Sequence, residues 1–327
     1  MIISRTPLRM SFVGGGSDLP SFYRRFGGAV VSTAISKFVY ITLNEKFDHR
    51  VRVSYSRTEE ADTVAEIQHP LVRESMRLLE VPGGLEITSI ADIPSKGSGL
   101  GSSSAFTVGL LHALHAYAGR GAAAVQLAKE ACAIEIERCG EPIGKQDQYA
   151  AAFGGFNFIA FHEDDSVSVE PIMCSAGTKA ALQESTLMFY TGLSRSASAI
   201  LKNQQEAVAA SAAKQDTLKR MVQLARELKA ELEKNNLGAF GEILHEGWEL
   251  KRSITGEISS GEIDAWYAAA HAAGATGGKL LGAGSGGFLM FYAPREKHEA
   301  IAAALKELRR IPMQFEAEGS RIIFVHE

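Results

Sequence analysis

Pro94-Ser95-Lys96-Gly97-Ser98-Gly99-Leu100-Gly101-Ser102-Ser103-Ser104-Ala105 is the stretch whose reading decides the fold. Three glycines and four serines fall between Gly97 and Ser104, and an apolar helical pattern continues from Ala105 to Ala118. Glycine lets backbone N–H groups turn toward a ligand with no side chain in the way. Here those groups run into a helix N-terminus, which carries roughly half a positive charge. The expected product is a cradle for phosphate oxygens. No Gly-Lys-Ser/Thr closes the loop, so the Walker pattern is excluded. A flexible Gly/Ser linker is the competing reading, but linkers do not usually lead straight into a strongly apolar helix.

Two further stretches stand on either side of this loop. Thr6-Pro7-Leu8-Arg9-Met10-Ser11-Phe12-Val13-Gly14-Gly15-Gly16-Ser17-Asp18-Leu19-Pro20 lies near the start, and Lys279-Leu280-Leu281-Gly282-Ala283-Gly284-Ser285-Gly286-Gly287-Phe288 near the end. Together the three resemble, in order and position, the motifs of the GHMP kinases (galactokinase, homoserine kinase, mevalonate kinase, phosphomevalonate kinase). The wording Gly-Gly-Gly-Ser-Asp-Leu-Pro is most similar to the sugar branch of that family. The resemblance implies an α+β fold with a β-rich N-terminal domain, a ferredoxin-like C-terminal domain and an active site in the cleft between them.

Composition sets the outer limits. The chain has 327 residues, 46% hydrophobic and 22% charged, an ordinary soluble balance with room for two domains. A net charge of −4 offers no footprint for nucleic acid or an anionic membrane, so an anionic substrate must be held by local donors. Cys132, Cys139 and Cys174 show no metal spacing, and so few cysteines fit a reducing cytoplasm. Met1 to Pro7 lacks the basic-then-apolar pattern of a signal peptide, and no apolar run approaches a membrane helix.

Along the chain, residues 2–5, 8–13, 30–44, 50–54 and 85–90 read as strands. Residues 122–138 and 146–153 read as helices, and 156–162 with 166–171 as a hairpin. An Ala/Lys/Glu/Gln-rich helix is expected over 202–234 and a second near 239–251. The end reads strand 286–292, helix 297–310, strand 321–326. Strands and helices mix without regular βαβ alternation, hence α+β. The boundary is set near residue 170, giving domains 1–170 and 171–327.

Phosphoryl transfer asks for positioning and charge neutralisation more than covalent chemistry. The cradle would be Lys96, Gly97, Ser98, Gly99, Leu100, Gly101, Ser102, Ser103 and Ser104, binding ATP, though Ser102–Ser104 also suit helix capping. The resemblance implies Ser103 as a magnesium contact and Glu135 as the carboxylate ligand of Mg2+, a hard ion that prefers oxygen. Glu137 points about 160° away around a helix and cannot share the ion. Asp147 matches the acid–base aspartate and Arg9 the cation that would steady it. A guanidinium favours the ionised form of a carboxylate, so Asp147 would orient the acceptor hydroxyl more than take its proton. Gly15, Gly16, Ser17 and Asp18 would form the sugar platform, with Asp18 accepting two hydroxyls; a turn with Asp18 capping the next helix is the alternative. Galactokinase carries Glu-His where this chain has Gly15-Gly16, which argues against galactose. Gly284 and Ser285 of the third motif would reach the substrate. Arg195 would clamp a distal phosphate, in competition with Lys37, Lys202, Lys251 and Arg252.

The activity implied is ATP-dependent phosphorylation of the anomeric hydroxyl of a heptose 7-phosphate. Another sugar (fucose, a uronic acid) and a non-catalytic sugar- or nucleotide-binding regulator are the alternatives. The partners expected are ATP and a small sugar phosphate, with no nucleic acid and no membrane; a homodimer is left open.

Overall fold

The computed structural model describes residues 1–94, 97–194 and 197–326. Its first sheet is built on Gly28–Glu45, an 18-residue strand rich in β-branched and aromatic side chains. That strand pairs antiparallel with Ile2–Val13 and, at successive stretches of its length, with Phe156–Phe161, Phe315–Glu316 and Leu85–Ala91. Val51–Ser54 lies parallel to Leu85–Ala91. Residues 2–5 and 8–13 are therefore one strand rather than two. Pro7 cannot donate to the ladder, and the register shifts just after it, a bulge that absorbs the missing N–H. The long apolar helix Ser102–Tyr117 covers one face of this sheet and is almost wholly buried.

The second sheet is antiparallel, in the order Arg309–Arg310, Thr186–Tyr190, Phe288–Tyr292, Gly277–Leu280. In chain order that is 4-1-3-2, the ferredoxin-like arrangement, with several helices in its first crossover. The fold is α+β. The last strands, Phe315–Glu316 and Arg321–Val325, return to the first sheet, so residues 171–327 contribute to both sheets.

Three helices differ from expectation. The run 202–234 is two helices, Ala197–Ala209 and Ala212–Glu233, because Ser211 accepts from Lys214 N–H and caps a new start. The run 122–138 is α-helical only over Ala124–Cys132 and continues as a wider π turn, Ala133–Arg138. The run 297–310 is helical only over His298–Ala304 beyond a short 3₁₀ turn, since Arg309–Arg310 pairs with Thr186–Tyr190.

The two sheets meet through their glycine loops. A Cβ on Gly99 would stand 2.2 Å from the Leu281 carbonyl oxygen, and one on Gly282 would stand 2.3 Å from Gly99 Cα. The phosphate loop and the third motif therefore pack backbone on backbone. Gly282 also has φ +84°, where an L side chain is strained. Gly282→Ala should cost about 1–3 kcal/mol and lower Tm by several degrees while raising KM for ATP. Thermal unfolding and ATP titration check this; no change in either would contradict the contact.

Candidate active site

Above the packed loops lies a cleft of about 1010 Å³. Arg9, Asp18, Ser102–Ser104, Gln146 and Asp147 line it from the first part of the chain, and Leu201, Gln204, Lys251, Gly282 and Ala283 from the second.

At one end stands the start of the helix Ser102–Tyr117. Gly101 is its N-cap, in left-handed conformation, and no serine side chain caps it. The first N–H groups of a helix have no partner within it, and Gly97, Ser98, Gly99, Gly101 and Ser102–Ser104 line the cleft at that point. Leu100 is fully buried beneath, its carbonyl accepting from Arg9 N–H at 3.1 Å. Lys96 lies outside the described residues. Beyond the loop the same cleft is walled by Val39, Tyr55, His69, Pro70 and Phe106. His69 stacks on Phe106 at 5.0 Å and meets Tyr55 edge-on at 4.6 Å. This slot has the chemistry to hold a planar base. Sequence reading missed it, because its residues come from distant elements with no shared motif.

Behind the loop sits Glu135, 1% exposed, on the π turn. Its Oε1 accepts from Ser103 Oγ at 3.0 Å and Thr107 Oγ1 at 3.2 Å, and its Oε2 from Ser104 Oγ at 2.8 Å and Gln148 Nε2 at 2.5 Å. Burial pushes its carboxyl up to about 7 against the pull of these hydrogen bonds. Glu137, two residues on, is exposed. The donor set is all hard oxygen, as magnesium requires. Ser103 Oγ and Glu135 Oε1 are 3.0 Å apart, about the edge of an octahedron with bonds of 2.0–2.1 Å. Among the described residues no three His, Cys, Asp or Glu side chains converge as a cage. Four donors already fill the acceptor positions of Glu135, so an ion held here would replace the hydroxyl bonds of Ser103 or Ser104 and take its remaining ligands from phosphates and water.

The reacting end is organised by Arg9, 4% exposed. Its Nε and Nη2 donate to Asp147 Oδ1 and Oδ2 at 2.7 and 2.8 Å, and its Nη1 to the Gly99 carbonyl at 2.6 Å. Asp147 is no helix cap; the helix Gln146–Phe153 has Lys145 as its N-cap, without a side-chain cap bond. Asp18 is buried and does not cap the helix Pro20–Phe26 either. Its Oδ1 accepts from Gly16 N–H at 3.0 Å and Gln146 Nε2 at 3.1 Å, and its Oδ2 from Gln146 N–H at 3.3 Å. Of about four acceptor positions on a carboxylate, that leaves one, where two were expected. Burial, and then the Asp147 charge, raise the Asp18 carboxyl above its ordinary range.

Lys251, on the helix Phe240–Ile254, reaches the same place. It is 5% exposed and donates to the Gly282 carbonyl at 2.5 Å. Burial and then the Arg9 charge hold it down at about 8, while Asp18 and Asp147 pull the other way. Lys279, also buried, is pushed well down by burial and by the charges of Lys251 and Arg9. Of the basic residues weighed as a distal clamp, Lys251 lines the cleft at the reacting end. Lys37 and Lys202 do not line it, and Arg252 is paired with Glu249 and Asp264. Arg195 lies outside the described residues.

Four residues expected at the sugar, Gly15, Ser17, Gly284 and Ser285, do not line the cleft wall. Ser17 is fully buried, its hydroxyl donating to the Gly14 and Ala29 carbonyls as a turn latch. Gly284 packs against Ile258, and Ser285 bonds the carbonyls of Glu257 and Ile258. Their neighbours Gly282 and Ala283 take the cleft wall instead, because the loop turns away after Ala283. Gly16 lines the cleft, while Gly15 lies between Gln146 and Lys251, a Cβ there falling 3.8 Å from each head group.

The chain resembles known proteins along nearly its whole length. Residues 63–155 match the GHMP kinases N terminal domain, and residues 221–310 match the GHMP kinases C terminal family. A D-glycero-alpha-D-manno-heptose 7-phosphate kinase of Campylobacter jejuni is 31% identical over 94% of both chains. A galactokinase of Pyrococcus furiosus is 26% identical over 93% of this chain and 92% of its own. A D-glycero-D-manno-heptose 1-phosphate kinase from Bacteriodes thetaiotaomicron superposes with TM-score 0.82 at 27% identity, covering 100% of both chains. The chain belongs to the GHMP kinase family and is an ATP-dependent sugar kinase.

Proposed function

We propose that this enzyme transfers the γ-phosphoryl group of ATP to the anomeric hydroxyl of D-glycero-D-manno-heptose 7-phosphate, giving the 1,7-bisphosphate. The observation that carries the reading is the Arg9–Asp147 pair, held by two hydrogen bonds at the mouth of the phosphate cradle and sharing one cleft with Asp18. The 31% identity to the 7-phosphate kinase supports the acceptor. A second reading, with the phosphate at the other end of the sugar, is favoured by the name of the structural neighbour.

In this mechanism the N-terminal turn of the helix Ser102–Tyr117 binds the polyphosphate, and the aromatic slot takes the base. Asp147 accepts a hydrogen bond from the acceptor hydroxyl and aims it, while Arg9 fixes Asp147 and faces the charge that moves. Lys251 adds a second cation from the opposite wall. Such groups act by positioning and by neutralising charge in a site partly closed to water. Ser103 and Glu135 would hold Mg2+, which when bound neutralises phosphate oxygens.

Incubation with ATP and heptose 7-phosphate, read by phosphorus NMR, should give a new anomeric phosphate; a product from heptose 1-phosphate alone would favour the second reading. Asp147→Asn should lose about a hundredfold or more in kcat with folding and ATP affinity intact; near-normal turnover would remove Asp147 from its role.

Glu135 carries a pH signature. The folded state holds its proton to about pH 7, above the ordinary carboxyl value, so its contribution to stability is present at low pH and lost as pH rises through 7. Metal-free protein should therefore lose Tm between about pH 4.5 and 7 and level off above that. Glu135→Gln should flatten that slope and raise the magnesium needed for half-maximal rate. A wild-type magnesium requirement in the variant would exclude it as a ligand.

Lys251 titrates in the opposite sense, losing its charge as pH rises through about 8. The rate should fall on that alkaline limb. Lys251→Met should remove the limb and cost roughly ten- to a hundredfold in kcat/KM, as for a lost charge-assisted bond. A pH–rate profile on both proteins checks it.

A further inference from the structure

Two residues that line this cleft carry three buried amide atoms without a partner among the described residues. They are Gln204 Nε2, Gln204 Oε1 and Gln146 Oε1. Gln204 is 0% exposed, yet it lines the cleft with Ala197 and Leu201, the 197/201/204 face of the helix Ala197–Ala209. A Cβ on Gly16 would stand 2.4 Å from Gln204 Nε2, so the amide rests directly on the loop that carries Asp18. Gln146, on the other side of Asp18, spends its Nε2 on Asp18 Oδ1 and leaves its Oε1 open. A buried amide with nothing to bond is costly and rare in a folded protein. Unlike Asp18 and Asp147, these groups are neutral, with one NH2 and two carbonyl oxygens spare on residues that border Gly15 and Gly16. The ligand chemistry that satisfies such a set is a pair of neighbouring hydroxyls, each able to give and take a hydrogen bond.

We infer that Gln204, reaching in from the C-terminal half, is a specificity-determining residue that binds acceptor hydroxyls together with Gln146 Oε1. This rests on the reading of the cleft as a sugar site, and it adds which side chain discriminates among sugars. A site built to bond a hydroxyl rejects an analogue lacking it far more strongly than an apolar wall rejects a misfit. Gln204 touches neither the phosphate cradle nor the Arg9–Asp147 pair through any hydrogen bond, so its effect belongs in acceptor binding rather than in ATP binding.

The test is Gln204→Met, which keeps length and volume and removes both polar atoms. Ligand-free Tm should be unchanged or higher, because an orphan amide leaves the interior. Acceptor KM should rise roughly ten- to a hundredfold, KM for ATP should stay within twofold, and the variant should no longer distinguish one deoxy analogue of the acceptor from the parent. The panel is heptose 7-phosphate and its single-deoxy analogues, heptose, mannose, fucose and galactose, with binding followed by calorimetry alongside turnover. A Tm lowered by several degrees would mean the amide has a structural partner and would overturn the inference. So would acceptor KM within twofold of wild type on whichever sugar is used. If heptose 7-phosphate is refused and another sugar accepted, the proposed acceptor falls while Gln204 is judged on that sugar. If no sugar binds the wild type, both fall.

Discussion

The site depends on one buried guanidinium. Arg9 reaches the phosphate loop twice, through its own N–H to Leu100 and through Nη1 to Gly99, and spends its remaining fork on Asp147. It therefore sets the distance between the Gly99–Leu100 loop and Asp147 from a single point. A buried ion pair contributes little net stability against an apolar replacement, but loss of one partner costs several kcal/mol. Its value here is geometric. The Ile2–Val13 strand that carries Arg9 is paired along its length with Gly28–Glu45, so the guanidinium is mounted on a strand held at nearly every residue.

Charge is handled locally throughout. The chain is mildly acidic overall, at −4, yet Arg9 and Lys251 stand together on the wall of one cleft. Lys251 comes from the second part of the chain and Arg9 from the first. Each is held away from water, and their mutual repulsion is offset by Asp18 and Asp147 on the opposite side of the balance. An arriving anion relieves that repulsion, which is a reason for it to bind there rather than elsewhere on the surface.

What could be read from sequence follows a physical rule. The glycine loops were legible because their job is local: the Gly99–Gly282 contact admits no side chain, so composition betrays it. Arg9, Asp18, Glu135 and Asp147 were singled out by resemblance to family motifs, and the structure brings Arg9, Asp18 and Asp147 to one cleft with Glu135 buried behind its loop. Gln204 and Gln146 were not, since an amide on a helix looks like any solvated residue until a second element buries it. Lys251 was visible only as one of several cations. Ser17, Gly284 and Ser285 were misjudged because a motif names neighbours without saying which of them turns inward. The aromatic slot of Tyr55, His69 and Phe106 has no motif at all. Helix ends failed for the same reason: Ser211 and the π turn at Ala133–Arg138 alter a helix without altering its apolar period.

The return of the last strand carries a consequence for how the chain is made. Ile2 pairs with Val325 and Arg5 with Arg321, contacts between the two extremes of the sequence. The loop closed by such a pairing is long, and long-range pairing slows folding more than it affects stability. At synthesis rates of roughly 5–20 residues per second, the first strand waits on the order of tens of seconds for that neighbour. During that interval one edge of the first sheet offers bare N–H and C=O groups, the sort of edge to which stray strands attach. The protein is thus most exposed to misassembly before its own tail arrives, and the tail doubles as the cover for the strand that bears Arg9.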